Sequence, residues 1–81
     1  MERNYEVELL EYIVKSIVDY PEDVRIDRTV DNMGVLLTLT MRQEDMGKVI
    51  GREGSGAKAI RTILKMVGMK YQSRVNLKIN G

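Results

Sequence analysis

A short segment rich in glycine constrains the fold of this chain more than any other feature. Between Gly51 and Ala57, five of the seven residues are glycine, alanine or serine. Val49 and Ile50 precede the segment, and apolar residues recur at helical spacing after it, over positions 60–67. Glycine permits close backbone approach and unusual φ/ψ values but is unfavourable inside a helix. We therefore interpret the segment as a tight joint between two helices.

A joint of this kind presents backbone N–H groups at the N-terminus of the second helix. These groups have no partner within the helix, and together with the helix dipole they favour a bound phosphate. Several kinds of glycine-rich loop use this arrangement, and two of them do not match the sequence.

The P-loop and the dinucleotide-binding loop both require neighbours that this chain lacks. A P-loop has a lysine directly after its last glycine, whereas alanine follows Gly56 and Lys58 comes one position too late. The run 54–59 fits a relaxed dinucleotide-binding fingerprint, which should follow a strand and be answered by an acid about 20 residues later. The preceding segment 43–50 is too short and too polar at its start to be that strand, and the later region offers the base Arg74.

Charge is distributed unevenly along the chain, although the net charge is only +1. Residues 1–23 hold seven acids and two bases, whereas residues 46–81 hold eight bases and one acid, Glu53. The bases of the second group are Lys48, Arg52, Lys58, Arg61, Lys65, Lys70, Arg74 and Lys78. A positive field at one end of a molecule is typical of a polyanion binder, and the glycine segment lies inside it.

Composition excludes several classes of functional site. The chain contains no Cys and no His, which removes disulfides, thiol chemistry and the commonest general base and metal ligand. No paired carboxylates accompany the glycine segment, so we predict no enzyme activity, no metal and no cofactor. The first residues do not resemble a signal peptide, and no apolar run approaches a membrane span. We expect a cytoplasmic protein without a membrane partner.

Hydropathy patterns predict six elements in the order α-β-β-α-α-β. The turn at 31–34 makes the first two strands antiparallel neighbours, and a helical crossover makes the last two parallel. The expected fold is therefore α+β, with a three-stranded mixed sheet in the order 1-2-3 and three helices on one face. The first three predicted elements are a helix over 4–19 with Asn4 as N-cap and strands over 24–30 and 35–42. A helix over 43–50, interrupted at Gly47, follows them. The last two are a helix from an N-cap at Ser55 to about Val67, with Gly68 as C-cap, and a strand over 73–80.

The glycine segment and the element order together resemble the K-homology (KH) family. Residues 49–54, Val-Ile-Gly-Arg-Glu-Gly, are similar to the KH signature Val-Ile-Gly-x-x-Gly, which is followed by a helix such as the one containing Lys58-Ala59-Ile60. The element order is that of the type II, prokaryotic form of the fold, and the resemblance covers nearly the whole chain. It implies a single KH domain over 1–81, in which a Gly-x-x-Gly loop clamps about four nucleotides of single-stranded nucleic acid.

The resemblance also implies which residues contact RNA. Backbone N–H groups of the loop would meet phosphate oxygens. An apolar floor under the bases would consist of Val49, Ile50 and Ile60 with Leu37 or Leu39, although core packing is the better interpretation of Ile60. The loop acid Glu53 and the absence of Phe and Trp predict modest affinity and little reading of base sequence. The predicted RNA-binding residues are Lys48, Val49, Ile50, Gly51, Arg52, Glu53, Gly54, Ser55 and Lys58.

Two functions follow as hypotheses. The first is a single-stranded RNA-binding protein that acts as an RNA chaperone or post-transcriptional regulator. Such a protein would gain affinity as a homodimer, or as a heterodimer with a larger KH-containing RNA-binding protein, because linked sites raise the effective concentration. The second is a protein-interaction or assembly module with the same fold, in which RNA contact is weak or secondary. Glu53 and the apolar surfaces of the helices motivate this alternative.

Overall fold

The structure is a computed structural model that describes residues 4–80. Residues 1–3 and 81, which the predicted domain and the charge distribution include, lie outside the described residues. The predicted element order is confirmed, with two additional single turns of 3-10 helix. The elements are α1 (Tyr5–Ile17), a 3-10 turn (Pro21–Asp23), β1 (Arg25–Asp31), β2 (Gly34–Thr40), α2 (Gln43–Ile50), a second 3-10 turn (Arg52–Gly54), α3 (Ser55–Lys70) and β3 (Val75–Asn80).

The three strands form one mixed sheet in the order β1-β2-β3. A tight turn makes β1 antiparallel to β2, with Val30 opposite Val35, while the crossover through α2 and α3 makes β3 parallel to β2, with Val35 opposite Val75. The more continuously apolar strand, β2, is central, as expected for a strand with a neighbour on each side. β1 and β3 are consequently the edges of this sheet.

The core lies between one face of the sheet and the three helices, which confirms the predicted α+β fold. Side chains that alternate along β2 and β3 meet the apolar stripes of the helices, since the two periodicities each place one face inward. Among residues 4–80, no helix has the length and hydropathy needed to cross a membrane. The buried apolar residues include Leu10, Val14, Val35, Leu37, Leu39, Val49, Ile60, Leu64, Val75 and Leu77.

Two buried acids connect α1 and the segment after it to the rest of the fold. Glu6 of α1, only 1% exposed, accepts a hydrogen bond from Nε of Arg28 in β1. Asp45 of α2, fully buried, accepts hydrogen bonds from the backbone amides of Asp19 at 3.2 Å and Tyr20 at 3.0 Å. Burial of Asp45 is tolerated because both of its carboxylate oxygens accept hydrogen bonds, whereas Oε2 of Glu6 has no hydrogen-bond partner among the described residues. The bonds to Asp45 hold the segment after α1 beside α2.

Three predictions about helix interiors and ends are wrong. Helix α2 runs through Gly47 without interruption, because one exposed glycine weakens a helix but does not end it. Helix α3 has Ser55 as its first helical residue, and the N-cap position belongs to Gly54 with a φ of 77°. The helix also continues two residues past Gly68, where a Cβ would lie only 2.5 Å from the carbonyl oxygen of Ser73. Gly68 thus allows the chain to fold back against the helix rather than capping it.

Candidate nucleic-acid interface

The loop from Gly51 to Gly54 turns the chain abruptly from α2 into α3. Three of its four residues have a left-handed backbone: Gly51 at φ 74°, Glu53 at φ 54° and Gly54 at φ 77°. The amide of Gly51 donates to the carbonyl of Gly47 at 2.9 Å, and that of Gly54 to the carbonyl of Gly51 at 3.2 Å. Arg52 and Glu53 are exposed at the tip. The loop is therefore accessible to a ligand rather than covered by the rest of the described chain.

Lack of space demands glycine at two positions, Gly51 in the loop and Gly56 in the first turn of α3. A Cβ on Gly51 would lie 2.8 Å from the amide nitrogen of Gly56, and a Cβ on Gly56 would lie 2.3 Å from the carbonyl oxygen of Val49. The end of α2 therefore rests directly on the first turn of α3. A Cβ on Gly54 would lie 4.0 Å from its nearest neighbour, Cε of Lys58. Only the left-handed φ therefore favours glycine at this position.

Glu53 adopts the left-handed conformation although it is not glycine, with φ 54° and ψ 28°. Such a conformation costs an ordinary residue about 1–2 kcal/mol, and strained residues of this kind cluster at functional sites. This conformation lets the chain reverse within the four residues of the loop and leaves Glu53 exposed at its tip. The carboxylate of Glu53 also places a negative charge where the sequence predicts a phosphate.

Lys48, one of the predicted phosphate contacts, is already engaged by two acids. Its Nζ donates a hydrogen bond to Oδ2 of Asp19 and lies 3.6 Å from Oδ1 of Asp45. The hydrogen bond to Asp19 and the charges of both carboxylates raise the pKa of Lys48. Burial alone would raise the pKa of Asp45, but the amides of Asp19 and Tyr20 and the charge of Lys48 outweigh it and hold that pKa below its ordinary value. The positive charge of Lys48 is thus largely compensated within the protein.

Other bases of the positive half have no acidic partner among residues 4–80. Lys58, Arg61 and Lys65 lie on one flank of α3, at spacings of three and four residues. Nε of Arg61 donates to the carbonyl of Leu77 at 3.3 Å, which turns this flank toward β3 at the edge of the sheet. A row of uncompensated charge therefore leads from the loop along α3 beside β3. The bases without an ion pair in the described chain include Arg52, Lys58, Arg61, Lys65, Arg74 and Lys78.

Only the first base of this flank, Lys58, is among the predicted RNA-binding residues. Arg61 and Lys65 follow it at helical spacing, and the predicted crossover places their helix beside the last strand.

The predicted apolar floor beneath the bases is wrong. Leu37, Leu39 and Val49 are fully buried, and Ile60 is 4% exposed, so their side chains complete the hydrophobic core. Only Ile50 among the predicted aliphatic contacts is partly exposed. A side chain enclosed between the sheet and the helices is not available to a ligand, and core packing is confirmed as the role of Ile60.

Comparison with known proteins identifies the family. The family model described as "KhpA/KhpB, KH domain" matches residues 7–79. The chain belongs to the KhpA/KhpB KH-domain family. The predicted KH resemblance is confirmed, and membership of a family of RNA-binding proteins also confirms that the chain is not an enzyme.

Several curated relatives of the KhpA/KhpB family match over most of their length. The RNA-binding protein KhpA of Clostridium perfringens is 46% identical over 72 residues, which cover 89% of this chain and 96% of the relative. KhpA of Listeria monocytogenes is 44% identical over 72 residues, 89% of this chain and 95% of the relative. KhpA of Borreliella burgdorferi is 43% identical over 74 residues, 91% of this chain and 90% of the relative.

Proposed function

We propose that this KhpA/KhpB family member binds single-stranded RNA and holds its sugar-phosphate backbone at the loop from Gly51 to Gly54. The observation that carries the proposal is the open, left-handed loop at the head of α3, with the uncompensated charges of Arg52 and Lys58 beside it. The relatives that are named RNA-binding proteins support RNA as the polyanion.

The loop suits a phosphate for three reasons. The exposed tip offers the backbone amides of Arg52 and Glu53, and the positive end of the α3 dipole points toward it. At Gly54, where the space for a Cβ is open, no side chain keeps the sugar-phosphate chain away. Arg52 and Lys58 add charge without first breaking an ion pair. Lys48 contributes less, because a phosphate must compete with Asp19 for its ammonium group.

We infer that the RNA continues from the loop along the flank of α3 that faces β3. Arg61 and Lys65 follow Lys58 on this flank, and Lys78 lies on the adjacent strand. Successive phosphates of one strand would thus meet successive positive charges. Binding of this kind depends strongly on salt, with a slope of about 0.7 for each phosphate contact to a single strand.

The proposed role is that of an RNA chaperone or regulator with little sequence preference, acting in the cytoplasm. Stacking platforms for bases are scarce, since the chain has no Phe or Trp and four Tyr. Tyr5 and Tyr71 stack on each other with centroids 4.0 Å apart, and Arg42 covers Tyr20. Few contacts give modest affinity, which a homodimer or a larger KH-containing partner would raise through effective concentration.

A charge-matched pair of variants tests the loop. The double substitution Arg52→Gln with Lys58→Gln removes two loop charges, and Lys15→Gln with Arg25→Gln removes two charges from α1 and β1. We expect the loop variant to bind a ten-nucleotide oligouridylate at least about tenfold more weakly at low salt, since each charge-assisted contact contributes about 1 kcal/mol or more. Equal losses for both variants would indicate attraction by net charge alone, and an unchanged affinity of the loop variant would exclude the loop as the site.

The second candidate function, an assembly module, is favoured by exposed apolar side chains on the helices. Tyr12 of α1 is 74% exposed and Met66 of α3 is 64% exposed. Under this hypothesis, the double variant Tyr12→Ser with Met66→Ser would have a lower molar mass by light scattering than the wild-type assembly. The loop variant would leave both the molar mass and the RNA affinity unchanged. A tenfold loss of RNA affinity in the loop variant would instead support the first function.

A further inference from the structure

We propose that the groove between the end of α3 and the start of β3 holds a further nucleotide of the RNA strand that is clamped at the loop. This inference rests on the proposed function and extends it to the opposite end of α3. The groove has a volume of about 570 Å³. Its lining includes Lys65, Met69, Ser73, Arg74, Val75 and Asn76.

The chemistry of the lining matches that of a nucleotide. Lys65 and Arg74 supply two positive charges for a phosphate, and neither has an acidic partner among residues 4–80. The side chain of Met69 is 72% exposed and offers a polarisable surface for the face of a base. Ser73 also lines the groove, and its hydroxyl can donate to or accept from the edge of a base or a ribose hydroxyl.

The acid that lines the adjacent hollow does not compensate the charge of the groove. Asp31 lines a neighbouring hollow that shares Ser73 and Arg74 with the groove. Its Oδ1 accepts a hydrogen bond from the amide of Met33 at 2.7 Å, within the β1–β2 turn, and it forms no ion pair in the described chain. No acid lines the groove itself, so its field favours an anion.

The row of charge on α3 connects this groove to the loop. Lys58, Arg61, Lys65 and Met69 follow one another at spacings of three or four residues, so they share one flank of the helix. At a rise of 1.5 Å per residue, Met69 lies roughly 22 Å along the helix from Gly54. Nucleotides that are stacked as in a DNA duplex advance about 3.4 Å each along the helix axis, so roughly six nucleotides in that conformation cover this distance. A strand of about ten nucleotides is therefore long enough to reach the groove from the loop. A strand of four nucleotides is not, because the loop alone holds about four nucleotides.

This connection favours RNA over the other polyanion that the groove could accept, an acidic peptide. A peptide would need only the two charges of the groove, and nothing would then require uncompensated bases at Lys58 and Arg61. A nucleic-acid strand uses the whole row, because its charges repeat along its length. The length dependence of binding consequently separates the two ligands.

The experiment compares the groove variant Arg74→Gln with the charge-matched control Arg25→Gln, because Lys65 also belongs to the row of bases proposed to hold the RNA along α3. Binding of U4 and U10 oligoribonucleotides is measured by fluorescence anisotropy at two salt concentrations. We expect the groove variant to lose about fivefold or more in affinity for U10, with a salt slope lower by about 0.7 per lost phosphate contact. Its affinity for U4 should equal that of the wild type, as should the affinity of the control for both oligonucleotides.

Folding of the groove variant can be checked separately. The backbone carbonyl of Arg74 accepts a hydrogen bond from the amide of Val35 at 2.7 Å. The substitution Arg74→Gln changes only the side chain and leaves this backbone hydrogen bond in place. A measurement on the wild type needs no variant at all: U10 should shift the NMR signals of the Met69 methyl group and the backbone amide of Asn76, and U4 should not.

The outcomes distinguish this inference from the function on which it rests. If the wild type binds neither oligonucleotide, the proposed function fails. If it binds both but the groove variant keeps full affinity for U10, or loses affinity for U4 and U10 equally, only the groove assignment fails. Binding of a ten-residue polyglutamate that is lost in Arg74→Gln, with U10 binding unaffected, would reassign the groove to an acidic peptide.

Discussion

Two glycines near the loop should respond to alanine in opposite ways. Gly47 lies on the exposed side of α2, where an added Cβ would meet no atom within 4 Å. Gly56 lies where α2 and α3 cross, and a Cβ there would lie 2.3 Å from the carbonyl oxygen of Val49 and 3.1 Å from that of Ile50. The same substitution, Gly→Ala, is therefore a test of the helix contact that positions the loop.

The structure sets the sign and the approximate size of each effect. At Gly47, alanine gains about 0.5–1 kcal/mol of helix stability, since glycine is the poorer helix former by that amount. At Gly56, the Cβ contact must lengthen by at least 0.7 Å to reach the 3.0 Å below which such contacts essentially never occur. That separation loosens the packing of Val49 against Ile60. Overpacking typically costs about 1–3 kcal/mol, so the free energies of unfolding of the two variants should differ by roughly 2 kcal/mol.

Urea unfolding followed by circular dichroism measures this difference. For a domain of this size, roughly 2 kcal/mol corresponds to about 10 °C in the Tm, with Gly47→Ala above the wild type and Gly56→Ala below it. A Gly56→Ala protein as stable as the wild type would refute the close crossing of α2 and α3. If Gly47→Ala were less stable than the wild type, the outer face of α2 would have to be covered. The RNA affinity of Gly47→Ala should equal that of the wild type, because Gly47 lies outside the proposed site.

Three further predictions concern the charged residues around the loop. Asp19→Asn should release Lys48 from its ion pair and raise the affinity for U10 up to about fivefold at low salt, as measured by fluorescence anisotropy. The backbone amide of residue 19 still donates to Asp45 in this variant, and a lower affinity would contradict the pairing of Lys48 with Asp19. Glu53→Asn removes the loop acid but keeps a residue that tolerates the left-handed conformation. We expect a similar gain in affinity for U10, and an unchanged affinity would mean that the carboxylate points away from the RNA. The pKa of Asp45 is lower in the folded than in the unfolded chain, so its stabilising effect is present above about pH 4 and is lost as the pH falls through its folded pKa. The free energy of unfolding should therefore fall more steeply below about pH 4 for the wild type than for Asp45→Asn, and parallel urea-derived curves would contradict this.

The element order was predictable because it depends on local patterns. Alternating residues in β1 and β3, and the apolar stripe containing Ile60 and Leu64, indicate strand or helix within a few positions. Chain connectivity then determines which strands are antiparallel and which are parallel. The loop was predictable for the same reason, since its left-handed residues require glycine at Gly51 and Gly54.

The roles of the other glycines could not be predicted in this way. Gly47, Gly56 and Gly68 are chemically identical, and each lies in or beside a helix in the sequence. Gly47 has open space, Gly56 touches the end of α2, and Gly68 touches the chain that returns after the helix. A glycine has no side chain, so its sequence context does not reveal which backbone lies against it.

By itself, the sequence determined the order of helices and strands, the left-handed loop at Gly51–Gly54 and the positive charge of the second half. The tertiary structure decided which charges remain available, since Lys48 is paired with Asp19, 29 residues away, while Lys58 has no acidic partner among residues 4–80. It also decided that Val49 and Leu37 belong to the core rather than to the binding surface. Backbone conformation depends on neighbours in the chain, whereas burial and ion pairing depend on atoms that only the folded molecule brings together.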